Sequence, residues 1–245
     1  MKQNIYDNDQ FFNGYRNLRF GHGGLNDVLE QPAIRKLLPR LHDLTILDLG
    51  CGMGQFARYC IENGAKEVIG TDISNKMLAI AKEQYAHKKI KYIHSAMEDI
   101  QFPKAYYDLV VSSLALHYVE DYQQIVSKVY DSLKPNGFFI YSIEHPICTA
   151  ANPMNGWIKD ENGAKKYWPV DHYQEEGYRQ AHWFVDDVTK YHRTLSTLIN
   201  TLIKVGFHIE EIDEPEVVPE ALSERQELKD EARRPPFLIV KVRKY

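Results

Sequence analysis

Three glycines at alternate positions form the most informative feature of the sequence. Gly50, Gly52 and Gly54 follow a short apolar run that ends at Leu49, and an amphipathic segment begins at Gln55. Glycine lets the backbone turn tightly or approach a ligand without a Cβ in the way. A helix opening after this loop would offer unpaired N–H groups and a positive dipole end. We therefore expect a ligand to lie on the loop.

Two acidic residues suggest what that ligand is. Asp72 stands 22 residues after Gly50, at the end of the next apolar run, where a carboxylate can accept both hydroxyls of a ribose. Asp48 stands two residues before Gly50, where it can face an ammonium group. Together they indicate a nucleoside-bearing cofactor with an amino-acid tail.

The glycine spacing distinguishes between two cofactors whose binding proteins both carry such a ribose-binding acid. A dinucleotide fingerprint requires glycine at position 55, where this chain has Gln55. A methionine tail also carries the ammonium group that Asp48 would face, whereas a pyrophosphate carries none. The sequence favours S-adenosyl-L-methionine, with S-adenosyl-L-homocysteine as its product, and an NAD-dependent oxidoreductase remains the less favoured alternative.

Composition narrows the classes of partner. The 245 residues are 44% hydrophobic and carry a formal net charge of -4, so no basic field would attract nucleic acid or anionic lipid. The polar N-terminus lacks a signal-peptide pattern, and no apolar run is long enough to span a bilayer. The three cysteines have no metal-ligand spacing. We expect a cytoplasmic monomer or homodimer that acts on a small molecule and contains no metal.

Short apolar runs alternate with helical periodicity from Thr45 onward, the pattern of a parallel sheet covered by helices on both faces. We predict an α/β fold with helices at about 55–63, 74–86, 121–133 and 191–205. A sixth strand is predicted at 207–213 and a seventh at 237–243. The first five predicted strands are β1 (Thr45–Leu49), β2 (Glu67–Asp72), β3 (Ile90–His94), β4 (Tyr107–Ser112) and β5 (Gly137–Ile143).

The alternation of predicted strands and helices ends after β5, where residues 144–190 are irregular and rich in aromatic residues. Irregular chain of this length is usually functional or disordered, and the aromatic content argues against disorder. We predict a single domain with N-terminal cap helices at 1–42, a cofactor-binding core at 43–143, a lid or substrate-binding insertion at 144–190, and a C-terminal helix and strands at 191–245. We predict that residues 214–236 form a solvated surface loop.

At this point the chain resembles a known family. The segments Asp48-Leu-Gly-Cys-Gly-Met-Gly54, Asp72-Ile-Ser74 and Tyr107-Asp-Leu-Val-Val-Ser-Ser-Leu-Ala-Leu-His117 are similar to those of class I, Rossmann-like S-adenosylmethionine-dependent methyltransferases. The small-molecule branch that includes ubiquinone and menaquinone biosynthesis enzymes is the most similar. The resemblance covers residues 43–143 and implies a seven-stranded, doubly wound, mostly parallel sheet of order 3-2-1-4-5-7-6 with the last strand antiparallel.

The resemblance also implies roles for individual residues. The glycine loop and Asp48 would surround the methionine portion, Asp72 would hold the ribose, and Ile73 and Met77 would pack on the adenine. We expect Cys51, which lies within the loop, to contact the cofactor as well. The resulting set of loop and strand-end residues is Asp48, Gly50, Cys51, Gly52, Gly54, Asp72, Ile73 and Met77.

Other candidate cofactor contacts follow β3 and β4. After β3 the chain departs from the family pattern, but the backbone N–H groups of Ala96 and Met97 could reach the adenine and Glu98 its amino group; Glu98 could equally begin a solvated turn. Ser112 and His117 follow β4 at the carboxyl edge of the sheet, where such folds bind ligands. His117 could instead pack beneath the site.

A predicted N-terminal helix would carry Phe11, Tyr15 and Arg19 on one face, because they recur every four residues. In related methyltransferases a helix at this position closes over the cofactor, with an aromatic residue or arginine near the methionine carboxylate. Tyr15 and Arg19 are therefore candidate cofactor contacts. The alternative is a helix that simply packs on the sheet.

The chemistry demands little of the protein, because the sulfonium of the cofactor already activates its methyl group. An acceptor hydroxyl, phenol or protonated amine would still need a base, and His145, His182 and His192 are the candidates in or beside the insertion. A regulator that binds S-adenosylmethionine without transferring its methyl group is the alternative from another functional class.

Overall fold

The computed structural model describes residues 2–21 and 24–245, without the side chains of Pro219, Glu220, Glu224 and Glu227. A seven-stranded sheet forms its centre, in the order β3-β2-β1-β4-β5-β11-β10. The strands are β1 (Thr45–Leu49), β2 (Glu67–Asp72), β3 (Ile90–His94), β4 (Tyr107–Ser113), β5 (Leu133–Glu144), β6 (Ile158–Lys159), β7 (Lys165–Tyr167), β8 (Gly177–Trp183), β9 (Val185–His192), β10 (His208–Asp213) and β11 (Phe237–Arg243).

The predicted sheet order is confirmed, since β10 and β11 are the sixth and seventh strands of the sequence-based prediction. Strands β1 to β5 all run parallel to their neighbours among themselves, whereas β11 runs antiparallel to both β5 and β10. This arrangement aligns the carboxyl ends of the five parallel strands along one edge of the sheet. Ligands of open α/β sheets bind at such an edge.

Helices cover the sheet as the amphipathic segments predict. The α-helices are α1 (Asp9–Phe20), α2 (Gln31–Leu37), α3 (Gln55–Glu62), α4 (Asn75–Gln84), α5 (Tyr122–Ser132), α6 (Pro146–Thr149), α7 (Leu195–Val205) and α8 (Pro219–Glu224). Short 3-10 turns lie at Ile5–Asp7, Met97–Asp99, Leu116–Tyr118 and Gln226–Arg233, and Asn26–Glu30 is π-helical. None of the described helices is long and apolar enough to cross a membrane.

Alternation along the strands supplies both faces of the sheet with apolar side chains. In β1, Ile46 packs against α2 and α3, while Leu47 and Leu49 face the opposite layer, which includes α5 and α7. Successive side chains of a strand point to opposite faces, so a strand buried on both faces is mostly apolar, and in β1 only Thr45 and Asp48 are polar. Burying each apolar side chain contributes about 1.5–3 kcal/mol.

The insertion is more regular than its sequence suggests. It contains two antiparallel hairpins, β6–β7 and β8–β9, joined by irregular chain. The strand β9 continues through His192, so the C-terminal helix begins at Leu195 and not at Tyr191. Thr194 caps that helix by accepting a hydrogen bond from the amide of Thr197, which fixes the later start.

The segment 214–236 corrects another expectation. It contains α8 and a 3-10 turn, and Val217, Ala221 and Leu228 are buried against Leu29 and Phe237. The segment is charged, but its few apolar residues share one side and form a third hydrophobic cluster. The prediction of a solvated surface loop was therefore wrong.

Candidate functional site

A large cavity of about 770 Å³ lies at the carboxyl edge of the sheet. Its floor comes from the segments that follow β1, β2, β3 and β4. The N-terminal segment and the β8–β9 hairpin contribute the opposite wall, through residues such as Tyr6, Tyr15, Tyr178 and Trp183. A cavity of this size is within the range of small-molecule sites, which is about 300–1,000 Å³.

The glycine loop shapes the floor. The amides of Gly50 and Cys51 both donate to the carbonyl of Thr71, at 2.8 and 2.9 Å, which ties the loop to the end of β2. Gly52 has φ +52°, and a Cβ added there would meet no atom within 4 Å. That Cβ would stand in the open cavity, so the bare backbone forms a cradle for a ligand.

Asp72 organises this cradle. Its Oδ2 accepts the amide N–H of Gly52 at 2.8 Å, and its Oδ1 accepts that of Ser74 at the same distance. Burial raises the pKa of Asp72, and these two hydrogen bonds offset the shift only in part. Each carboxylate oxygen can accept a further hydrogen bond, so Asp72 retains capacity for ligand hydroxyls.

Asp48 is the most unusual group on the floor. Its side chain is buried, and its Oδ2 has no hydrogen-bond partner among the described residues. Burial, together with the nearby Asp72 and Glu30 carboxyls, raises the pKa of Asp48 to about 8. A buried acceptor without a partner is costly, so this oxygen marks the place of a missing donor or cation.

Two of the predicted loop and strand-end contacts do not reach the cavity. A Cβ on Gly54 would lie 2.4 Å from the Tyr92 hydroxyl, so this glycine permits close packing beneath the loop. Ser112 is fully buried, and its hydroxyl donates to the carbonyl of Leu49 at 2.9 Å. Both residues therefore lie outside the cavity lining, because their space and hydrogen bonds are taken by neighbouring strands and helices, and we do not include them among the proposed cofactor contacts.

The other predicted cofactor contacts line the cavity. Ile73, Met77, Ala96, Met97 and Glu98 surround its end beside β2 and β3. The remaining lining members of the predicted set are Tyr15, Arg19, Asp48, Gly50, Cys51, Gly52, Asp72 and His117.

Helix α1 brings Tyr15 and Arg19 over the glycine loop. Nη2 of Arg19 donates to the Gln55 side chain at 3.1 Å, and Nη1 lies 3.4 Å from a carboxylate oxygen of Asp27. That Nη1 is buried and makes no hydrogen bond within the described part of the chain. Arg19 thus offers a positively charged donor above a loop whose other charges are carboxylates.

The N-terminal segment is fastened at both ends of the cavity. Asp7 accepts hydrogen bonds from the Ser74 hydroxyl at 2.6 Å and from the Lys76 amide at 3.1 Å, at the start of α4. Across the cavity, the ring of Phe11 lies edge-on to Trp183 and to Phe184, at 5.2 and 5.6 Å between centroids. The segment therefore spans the gap between the sheet edge and the β8–β9 hairpin.

The three candidate bases lie outside the cavity lining. Nε2 of His145 pairs with Glu214 at 2.8 Å, and its Nδ1 caps α6 by accepting the amide of Ile147. His192 is buried between the Thr149 hydroxyl and the Tyr173 carbonyl. His182 is exposed and pairs with Asp186. We correct the sequence-based assignment of these residues as bases, because packing holds His145 and His192 outside the cavity lining and His182 lies on the surface.

Sequence reasoning missed Glu144, which does line the cavity. Glu144 precedes His145 at the end of β5, and consecutive side chains of a strand point to opposite faces. The choice between the two residues depended on the phase of the strand, which the sequence left open. Glu144 accepts a hydrogen bond from Lys190 of β9 at 2.5 Å, and the Lys190 side chain is only 6% exposed.

Glu30 also escaped the sequence analysis. It is fully buried behind the cavity wall, where it accepts hydrogen bonds from Ser113, Ser142 and Gln31 at 2.5–2.8 Å. Burial raises the pKa of Glu30. Since Gln31 and Ser113 line the cavity, Glu30 fixes two wall residues. An acidic residue within an otherwise ordinary helical segment gave no signal for this role.

The sheet order, the glycine loop and the acids at the carboxyl ends of β1 and β2 define an open α/β protein built to bind a nucleoside-bearing cofactor. Comparison with known proteins agrees. A family model described as a methyltransferase domain matches residues 47–141. A protein of uncharacterised function from Haemophilus influenzae is 38% identical over 250 residues, which cover 99% of this chain and 98% of the relative.

Two solved structures extend the comparison. An S-adenosylmethionine-dependent methyltransferase from Mesorhizobium loti is 42% identical with a TM-score of 0.82, covering 90% of this chain and 100% of that one. A structure from Listeria monocytogenes assigned to the same class is 44% identical with a TM-score of 0.84, covering 88% and 96%. The chain belongs to the S-adenosylmethionine-dependent methyltransferases. It is an enzyme that uses S-adenosylmethionine, and the readings as an NAD-dependent oxidoreductase or a non-catalytic regulator are set aside.

Proposed function

We propose that this methyltransferase binds its cofactor along the glycine loop and its small-molecule acceptor in the same cavity, beneath the β8–β9 hairpin. The observation that carries the cofactor placement is the unpartnered, buried Oδ2 of Asp48 beside the open space over Gly52. When bound, the cofactor supplies a cationic sulfonium that bears a transferable methyl group.

Different residues of the chain bind different parts of that cofactor. Asp48 neutralises the positive charge of the methionine end, and the Arg19 guanidinium pairs with its carboxylate. Asp72 accepts the ribose hydroxyls with the oxygen capacity that its two backbone hydrogen bonds leave free. Met77 and Ile73 pack on the adenine, and both line the cavity at the end beside β2 and β3.

The acceptor end is aromatic. Tyr6, Tyr118, Tyr178, Trp183 and Tyr191 all line the part of the cavity formed with the hairpin. Aromatic side chains provide a large apolar area with few rotatable bonds, which suits an acceptor with an apolar or planar body. Glu144 and the exposed Glu120 add negative charge to this wall, which disfavours a nucleic acid substrate.

The test compares three acceptor pools with methyl-labelled S-adenosylmethionine: small metabolites, transfer RNA and protein. We expect label in a metabolite product only. Trp183→Ala should raise the KM for that acceptor at least tenfold and leave the affinity for S-adenosylhomocysteine within threefold. Trp157→Ala is the matched control, because Trp157 precedes β6 and lies outside the cavity lining. Label in RNA or protein, or equal effects of the two variants, would contradict the proposal.

A further inference from the structure

Two residues with polar side chains, from different elements, are in contact at the acceptor end of the cavity. His117 lies in the 3-10 turn after β4, and Glu144 is the last residue of β5. The amide of Glu144 donates to Nδ1 of His117 at 3.4 Å, and both side chains line the cavity. The pair is therefore built into the edge of the sheet and does not belong to the covering hairpin.

The turn that carries His117 lies directly beside the glycine loop. A Cβ built on Gly50 would stand 2.6 Å from the Cβ of Ala115, two residues before His117. On the other side, the His117 ring lies 4.4 Å from the Tyr118 ring, and the Tyr118 hydroxyl is 3.4 Å from that of Tyr6. The pair thus stands between the proposed methionine end of the cofactor and the aromatic wall.

The two residues have opposite hydrogen-bonding characters. Burial lowers the pKa of His117 to about 4, so the ring is neutral at pH 7. Since Nδ1 accepts the Glu144 amide, the ring proton lies on Nε2, and His117 can only donate from there. Burial alone would raise the pKa of Glu144, but the charge of Lys190 lowers it overall, so Glu144 is an ionised acceptor.

We propose that this pair recognises a neutral hydroxyl group, phenolic or alcoholic, as the methyl-accepting group, and that Glu144 is the catalytic residue that receives its proton. The inference rests on the proposed function and names the class of its acceptor. A hydroxyl accepts one hydrogen bond and donates another, which matches His117 and Glu144 together. A carboxylate would be repelled by Glu144, and a protonated amine has no lone pair with which to attack.

The step balances without a further reactant. A lone pair of the hydroxyl oxygen forms the bond to the methyl carbon, the carbon–sulfur bond breaks, and its electron pair stays on sulfur. The hydroxyl proton passes to Glu144, so the positive charge of the sulfonium is cancelled and the carboxylate becomes a carboxylic acid. A weak base is sufficient, because the oxygen becomes strongly acidic as it gains the methyl group.

Several charged or titratable groups act on Glu144. Lys190 approaches from β9, His117 and Tyr118 from the turn after β4, and Arg234 from the segment before β11. Lys190 holds Oε1 and leaves Oε2 as the second acceptor of the carboxylate. Lys190 is therefore a positioning residue, and removing it should cost less than removing the carboxylate.

The first test measures binding without turnover. With S-adenosylhomocysteine saturating, 4-alkylphenols are titrated against their methyl ethers and the matching anilines, and binding is followed by calorimetry. We expect the phenols to bind at least tenfold more tightly than both analogues, and Glu144→Gln/Lys190→Met to remove that preference. The double variant leaves no unpaired buried charge. The matching 4-alkylcyclohexanols are titrated in the same way. Equal binding of the hydroxyl compounds and their ethers, or no binding of any phenol or cyclohexanol, would overturn the proposal.

The second test locates the transferred methyl in the product formed from the metabolite pool. A methyl group on a hydroxyl oxygen supports the proposal. A methyl on nitrogen, carbon, sulfur or a carboxylate would overturn it while the proposed function stood, and label in no metabolite would count against both. Glu144→Gln/Lys190→Met should lower kcat at least a hundredfold, and Lys190→Met alone less than tenfold. Glu214→Gln, a carboxylate paired with His145 outside the cavity lining, is the matched control and should stay within threefold.

Discussion

The affinity for the cofactor should rise with pH because of Asp48. Burial raises the pKa of this carboxyl from 3.8 to about 8, so the free enzyme holds a proton there at neutral pH. The cationic methionine end of the cofactor requires the ionised form, and its binding must therefore release that proton. Binding weakens as the pH falls below the pKa of the free enzyme, which gives the sign of the effect.

The size of the effect follows from that pKa. If the bound carboxylate stays ionised, the dissociation constant should be about tenfold larger at pH 7 and about a hundredfold larger at pH 6 than its limiting value at high pH. The carboxyls of Asp72 and Glu30, whose pKa values burial also raises, act in the same direction.

Calorimetry of S-adenosylhomocysteine binding at pH 6, 7 and 8, in two buffers of different ionisation enthalpy, measures both the affinity and the proton released. Asp48→Asn is the matched variant, since it keeps the shape of the side chain and cannot titrate. Its affinity should be lower at pH 8 and should depend on pH much less than that of the wild type. A wild-type affinity that is flat between pH 6 and 8, or the same slope in Asp48→Asn, would refute the reasoning.

Three further variants test separate parts of the site. Asp72→Ala should weaken the binding of S-adenosylmethionine and of S-adenosylhomocysteine alike by about ten- to hundredfold in calorimetry, since hydrogen bonds to a charged group contribute about 1.5–3 kcal/mol. Asp131 is an exposed acid on α5, and Asp131→Ala should change neither affinity. A loss of affinity confined to one ligand would contradict the ribose role of Asp72. Gly52→Val should abolish binding because its side chain would occupy the cradle; Gly163→Val shares the positive φ and open surroundings in the insertion, so equal affinities of the two variants would place the cofactor elsewhere. His145→Ala should lower the free energy of unfolding by about 1–2 kcal/mol through loss of the α6 cap, with turnover within threefold; a hundredfold fall in kcat would restore His145 as the base.

Much of the fold could be predicted because its signals are local. Strands β1–β3 match the predicted bounds, since each is a short apolar run closed by a turn or a polar residue. The hairpins of the insertion were not predicted, because β8 and β9 are stabilised by pairing with each other and by contacts with the distant N-terminal segment. One such contact pairs the side chain of Gln3 with the backbone of Thr189.

The site residues also fall into those with a local sequence signal and those without one. Asp48, Gly52 and Asp72 were found because their spacing within one β-loop-α unit determines where they lie. Glu144 and Lys190 were missed because they are 46 residues apart and meet only when β9 packs beside the end of β5. A buried ion pair of this kind carries no sequence pattern. The histidines were favoured by residue type alone, and type does not decide which way a side chain points.

A crystal structure with S-adenosylhomocysteine bound tests the central claim most directly. The account predicts density along the glycine loop, with the ribose on Asp72, the amino group within hydrogen-bond distance of Asp48 Oδ2, and the sulfur facing the pocket between His117 and Glu144. Density elsewhere, or a sulfur that faces away from that pocket, would contradict a single cavity that holds cofactor and acceptor end to end.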